Sequence, residues 1–172
     1  MREDIDRDLP MQVVDTLRDA GETVALAESC TGGMVGATIT AVPGASDVFV
    51  AGLTTYTNDA KRRFLGVRRE TLDAHGAVSA ETAREMAQGA RDGCDATWGL
   101  SITGIAGPTG GTEEKPVGTV YVGLAYAGPW GSERSYVTAD RHEFDGDRSA
   151  VRSKTTEVAL ETVLEACSST DR

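Results

Sequence analysis

Lysine is almost missing from this chain. Only Lys61, Lys115 and Lys154 occur, against fourteen arginines, in 172 residues. Cysteine is scarce too: Cys30, Cys94 and Cys167 are odd in number, widely spaced and contain no CxxC, so they read as reduced thiols and not as a disulfide frame or zinc site. Histidine is limited to His75 and His142, with no HExxH or Cys/His cluster; a metal centre or a Ser-His-Asp triad is not expected. No apolar run approaches the roughly 20 residues that span a bilayer, and the charged start MREDIDRDLP is no signal peptide. The chain is therefore expected to be soluble and cytoplasmic, with no membrane partner.

Basic charge is in short supply overall. Twenty-seven acidic against seventeen basic side chains leave a net charge of −10 and a pI near 4.6. Such a chain repels phosphate backbones unless it keeps a local basic face, so nucleic acid is not an expected partner. Acid excess, few lysines and 5% aromatics are what a protein needs to stay hydrated in concentrated salt, where the Debye length shrinks to about 3 Å at 1 M. A halophilic source is expected.

The length suits one domain, and a chain this size can bury roughly 70% of its unfolded surface without staples. Apolar spacing predicts a helix over 9–20, stopped by Gly21. Thr23 to Ala27 reads as a buried strand running into Glu28-Ser29-Cys30-Thr31-Gly32-Gly33, followed by a helix over 34–41. Phe49 to Thr57 reads as a second strand, Asp59 to Leu65 as a short helix, Thr71 to Ala74 as a turn, and 80–92 as a helix capped by Ser79. Strands are expected at 97–103, 117–125 and, at an edge, 134–138, before a long helix over 147–167. Trp98 and Trp130 are expected to pack, and His75 to sit in a turn. Alternating helices and strands predict one three-layer α/β/α domain over 1–172, with a mixed central sheet of about five strands and the third and fourth strands antiparallel.

Four stretches carry possible chemistry. Ser29 ends a buried strand before a helix, where open α/β sheets present ligands. Thr31, Gly32 and Gly33 stand beside it, and the glycines let backbone approach a ligand. Alternatively, Ser29 and Thr31 simply cap the following helix. Tyr56 and Lys61 flank the end of the second strand. A lysine beside a serine can act as a general base if burial lowers its pKa, which arginine cannot do; the alternative is an exposed lysine at a helix start. The glycine-rich loop from Thr103 through Gly104, Ala106 and Gly107 to Gly118 can wrap a ligand with amides, or be a plain connector. Arg148, in the first turn of the last helix, opposes the dipole preference and is easier to explain if it meets an anion; otherwise it makes a surface ion pair.

The segments A-E-S-C-T-G-G at 27–33, T-Y-T-N-D-A-K at 55–61, H-G-A-V-S at 75–79, S-I-T-G-I-A-G-P at 101–108, E-E-K-P-V-G-T-V at 113–120 and G-D-R at 146–148 resemble the CinA C-terminal domain family. The likeness runs in order over nearly the whole chain; only 128–142 is unlike the family. That family contains nicotinamide mononucleotide deamidases, and its short stand-alone members look like this chain. Longer ones add an N-terminal molybdopterin-binding-like domain that this sequence does not contain. The resemblance implies hydrolysis of nicotinamide mononucleotide to nicotinate mononucleotide and ammonia, without cofactor or metal. Ser29 would attack the amide, Lys61 would accept its proton, and Tyr56 would orient the pair or carry the proton. Thr31 or an activated water are alternative nucleophiles. Amides near Thr31–Gly33 or in 104–107 would hold the oxyanion, and Arg148 the phosphate. A homo-oligomer is expected, as is, alternatively, a nucleotide-binding regulatory or competence-associated module without catalysis.

The halophilic reading has a direct check. The midpoint of thermal unfolding should rise as KCl goes from about 0.1 M to about 2 M; full stability at the lower concentration would contradict it.

Overall fold

The structure, a computed structural model, describes residues 8–169. The first seven residues, part of the charged start, lie outside it. Pro10 in the first turn and left-handed Gly21 at the end bound helix α1, Leu9–Ala20, which buries Leu9, Val13, Val14 and Leu17. Strand β1, Val24–Glu28, is buried at every position. Helix α2, Met34–Thr40, and a 3-10 turn at Ala45–Asp47 lead to β2, Phe49–Thr54. Three helices follow: α3, Asn58–Leu65; α4, Arg69–His75; and α5, Ala80–Gly93. Strands β3, Trp98–Gly104, β4, Thr119–Tyr126, and β5, Tyr136–Glu143, precede the long α6, Arg148–Ser168.

The sheet order is β2-β1-β3-β4-β5. β1 is parallel to both β2 and β3, whereas β4 and β5 run antiparallel to their neighbours, so the sheet is mixed as expected. Helices α1, α2 and α6 pack on one face against Val24, Leu26, Trp98, Leu100, Ile102, Val120, Val122 and Leu124. Helices α3, α4 and α5 cover the other face, against Ala25 and Ala27. Leaving β1 the chain crosses one face to reach β2; leaving β2 it crosses the other to reach β3. The carboxyl ends of β1, β2 and β3 therefore border a crevice, where open α/β sheets hold ligands.

The two faces are built differently because β-strand residues alternate. One face carries bulky side chains. The other carries Gly99, Ser101 and Gly123, and α5 lies almost directly on them with Ala83, Ala87 and Ala90. A Cβ on Gly99 would fall 2.0 Å from the Ala87 carbonyl oxygen. The Ser101 hydroxyl donates to the Ala83 carbonyl at 2.6 Å. Close approach recurs between α5 and α3, where a Cβ on Gly89 would lie 2.0 Å from the Leu65 carbonyl oxygen. These contacts set the depth of α3, and with it Lys61.

Three expectations need correction. Residues 71–74 are not an isolated turn but part of α4. Glu85 of α5 accepts from the Arg68 amide at 2.8 Å and the Thr71 hydroxyl at 2.6 Å, a tertiary anchor invisible to local pattern. The edge strand begins later and runs further than 134–138, because its partner β4 offers eight residues to pair. Trp98 is fully buried, its indole N–H donating to Glu22 at 2.7 Å, but Trp130 stands in solvent in the loop between β4 and β5 and packs on nothing. Among the described residues no helix is long and apolar enough to cross a membrane.

Gly99→Ala should destabilise the protein by about 3 kcal/mol or prevent folding, since a backbone carbonyl, not a flexible side chain, blocks the added methyl. Denaturant unfolding checks this; a loss under about 0.5 kcal/mol would show that α5 can lift away freely.

Candidate functional site

Glu28 closes β1 as a carboxylate only 1% exposed. Burial of that charge is tolerable because it accepts three amides: Gly33 at 3.0 Å, Val35 at 3.2 Å and Gly36 at 2.8 Å. The turn can fold back this far because Gly32 and Gly33 take left-handed φ values of +61° and +94°. Glu28 is thus the cap of α2. The alternative in which Ser29 and Thr31 cap this helix is not what the chain adopts. The Gly33 amide is engaged by Glu28 and the Gly32 amide by the Ser29 carbonyl, so neither is open to an anion here.

Freed from capping, Ser29 has another partner. Lys61 Nζ donates to Ser29 Oγ at 3.1 Å and to the Thr55 carbonyl at 2.8 Å. Thr55 in turn ties its amide to the Glu28 carbonyl at 2.8 Å. The Thr57 hydroxyl caps α3 by accepting from the Ala60 amide at 3.1 Å, which starts the helix where Lys61 points inward. Lys61 is 1% exposed and Ser29 9%. The exposed-lysine alternative is therefore excluded. Burial pushes the Lys61 pKa below its ordinary 10.5, opposed in part by the neighbouring Cys30 thiol. Cys30 moves the other way. Burial raises its thiol to about 11, with its own amide, Arg148 and Arg152 opposing and Glu28 adding, so it stays protonated and poorly nucleophilic at neutral pH.

A cavity of about 270 Å³ opens over this pair. Ser29, Cys30, Tyr56 and Lys61 line one side; Thr103, Gly104, Ala106, Gly107 and Arg148 line the other. Ala77 and Val78 form a wall, held by the Thr103 hydroxyl donating to the Ala77 carbonyl at 2.7 Å. At the rim, Arg148 donates through Nη1 to the Gly107 carbonyl at 2.8 Å and through Nη2 to the Tyr56 hydroxyl at 3.0 Å. It makes no ion pair among the described residues. The hydroxyl of Tyr56 is bonded to this guanidinium and not to Ser29 or Lys61. Asp147 caps α6 through the Ala150 amide at 2.9 Å, leaving Arg148 at its first position.

Eight of the residues singled out in the sequence thus meet around one cavity: Ser29, Tyr56, Lys61, Thr103, Gly104, Ala106, Gly107 and Arg148. Thr31, Gly32 and Gly33 do not line it. Thr31 is fully buried with its hydroxyl unpartnered, so it has no base. Sequence reasoning missed Glu28, Thr55 and Arg152. A carboxylate ending a buried strand just before two glycines was the available signal for Glu28; Thr55 acts through its backbone and had none.

A buried serine–lysine pair at the carboxyl edge of a mixed α/β sheet, beneath an arginine rim, defines the class of site. The CinA C-terminal domain model matches residues 6–167, and the chain belongs to that family. A CinA-like protein of Anaeromyxobacter sp. (strain K) is 55% identical over 153 residues, covering 89% of this chain and 36% of its own length. A putative competence-damage inducible protein of Halothermothrix orenii is 51% identical over 152 residues, covering 88% and 35%. The chain spans about a third of the length of these curated relatives. Among solved structures, competence/damage inducible protein CihA from Agrobacterium tumefaciens superposes with a TM-score of 0.87 at 39% identity, covering 95% of each chain.

Lys61→Met tests the electrostatics. In the unfolded chain Lys61 holds its proton up to about pH 10.5; in the folded chain it releases it at lower pH. Between those values the unfolded state binds more protons, so stability rises with pH. Wild type should gain on Lys61→Met as pH climbs from 7 toward 10, read from denaturation midpoints. A gap constant with pH would contradict the lowered pKa.

Proposed function

We propose that this protein hydrolyses the carboxamide of nicotinamide mononucleotide, giving nicotinate mononucleotide and ammonia. The observation that carries the reading is the 3.1 Å contact between Lys61 Nζ and Ser29 Oγ under a cavity that Arg148 overlooks. The family resemblance supplies the substrate, and the site supports the chemistry. Neutral Lys61 takes the Ser29 proton as Oγ bonds to the amide carbon. The carbonyl π electrons move to oxygen, giving a tetrahedral oxyanion. On collapse, the C–N bond breaks and Lys61 returns the proton to the leaving nitrogen, which departs as ammonia. Water then attacks the acyl-serine with Lys61 again as base, releasing the carboxylate and restoring Ser29.

Oxyanion donors must be preorganised, and losing one costs about 10²–10³ in rate. The amides of Ala106 and Gly107 have no partner among the described residues and border the cavity, which supports them over the α2 amides bound by Glu28. Arg148, lacking a carboxylate partner, suits the phosphate. Tyr56 then positions Arg148 and lies beside the reacting pair. The cavity volume is near the lower end of ligand pockets, about 300 Å³, in keeping with a mononucleotide. A second reading is a competence-associated module without catalysis; the relatives' names speak of competence and damage induction only. A binding module has no use for a lysine buried against a serine.

Ammonia release from nicotinamide mononucleotide decides. Wild type should be active, and Ser29→Ala and Lys61→Ala should each lose about 10³-fold or more. The rate constant kcat/KM should rise with pH along a limb centred below 10.5, as Lys61 deprotonates. Inactive wild type at both low and high salt would reject the reaction, and active variants would reject the mechanism.

A further inference from the structure

Arg152 follows Arg148 by one helical turn on α6, so both project from the same side of the helix. Arg148 borders the cavity, but Arg152 does not. It is half-buried, and its Nη2 donates to the Thr31 carbonyl at 2.8 Å, an oxygen that also accepts the Met34 amide at 3.2 Å. The turn from Ser29 to Gly33 is therefore held from two sides. The Glu28 carboxylate gathers its amides, and the Arg152 guanidinium takes a carbonyl. Residue 32 is glycine for its left-handed φ of +61°; a Cβ there would only touch Nη2, at 3.5 Å.

Arg152 shares with Arg148 the lack of a carboxylate partner among the described residues. Arg18, Arg62, Arg68, Arg69, Arg91 and Arg141 each face a carboxylate. Arg152 forms no ion pair among the described residues, and its one recorded acceptor is the Thr31 carbonyl.

We infer that Arg152 is a positioning residue that passes anion binding at Arg148 on to the Ser29 turn. The inference rests on the reading of a phosphorylated substrate. In the structure Arg148 gives two of its five donors, one to the Gly107 carbonyl and one to the Tyr56 hydroxyl. A phosphate drawn to the remaining donors pulls on the guanidinium and re-seats the first turn of α6. The helix is rigid, so Arg152 moves with it and resets the Thr31 carbonyl, and hence Ser29 against Lys61. Interaction energy from the non-reacting phosphate then appears in kcat and not only in KM.

The test compares nicotinamide mononucleotide with the nucleoside that lacks the phosphate, nicotinamide riboside, in wild type, Arg152→Met and Arg152→Lys. Wild type should turn over the nucleotide with the higher kcat. Arg152→Met should lower kcat for the nucleotide about 10–100-fold with KM little changed, and lower the nucleoside rate far less, so that the advantage of the nucleotide is lost. Arg152→Lys, which keeps a donor for the Thr31 carbonyl, should recover part of the loss. An equal loss on both substrates, or none, overturns the inference. A second readout does not need amide hydrolysis: labelling of Ser29 by a fluorophosphonate, with and without ribose 5-phosphate. Ribose 5-phosphate should speed labelling in wild type but not in Arg152→Met, although calorimetry shows both binding it. Equal acceleration in both overturns the inference even where the enzyme proves inactive on nicotinamide mononucleotide.

Discussion

A lysine with essentially no contact with water, and no carboxylate to balance it, constrains everything near the site. Among the described residues Lys61 reaches two acceptors, the Thr55 carbonyl and the Ser29 hydroxyl. A buried ammonium in that setting is expensive, so the group is pushed toward its neutral form. Neutral, it is a base, and the nearest acidic proton belongs to Ser29. The arrangement stays intact only if three chain segments keep their registration: the end of β1, the end of β2 and the first turn of α3.

Two unrelated devices supply that registration. The first is the small-residue face of the sheet. Gly99, Ser101 and Gly123 let α5 sit against the strands, and Gly89 lets the end of α3 sit against α5. Depth of packing thus sets how far Lys61 extends into the site. The second is Glu28, which turns the chain by collecting three amides and leaves Ser29 without a capping duty. The same carboxylate takes the α2 amides out of play for anions. Positive potential for a substrate then comes from the other side of the crevice, from Arg148 and the loop at 104–107.

Legibility followed the range of each interaction. Helices α1, α5 and α6 were visible because their stripes, caps and stops lie within a few residues, as with Ser79, Asp147 and Gly21. Strands β1, β3 and β4 stood out as apolar runs. The helix α4 did not, since its anchor Glu85 lies 14 and 17 residues along the chain from the groups it holds, Thr71 and Arg68. Trp130 looked like core by residue type but is exposed, and only the course of the β4–β5 loop decides that. In the site, residue types led to Ser29, Lys61, Tyr56 and Arg148. Their pairing was partly misjudged: Tyr56 bonds Arg148, and the glycines at 32–33 serve Glu28.

The amino-acid sequence by itself determined the alternation of elements, the family, the acidic exterior and the residue types available for chemistry, because each follows from local pattern or composition. The tertiary structure alone decided that Lys61 is buried and Thr31 idle, that Glu28 and not a hydroxyl caps α2, and that Arg152 holds the Ser29 turn. Those outcomes depend on contacts between residues as much as 121 positions apart in the chain, as with Arg152 and Thr31, which no local pattern encodes.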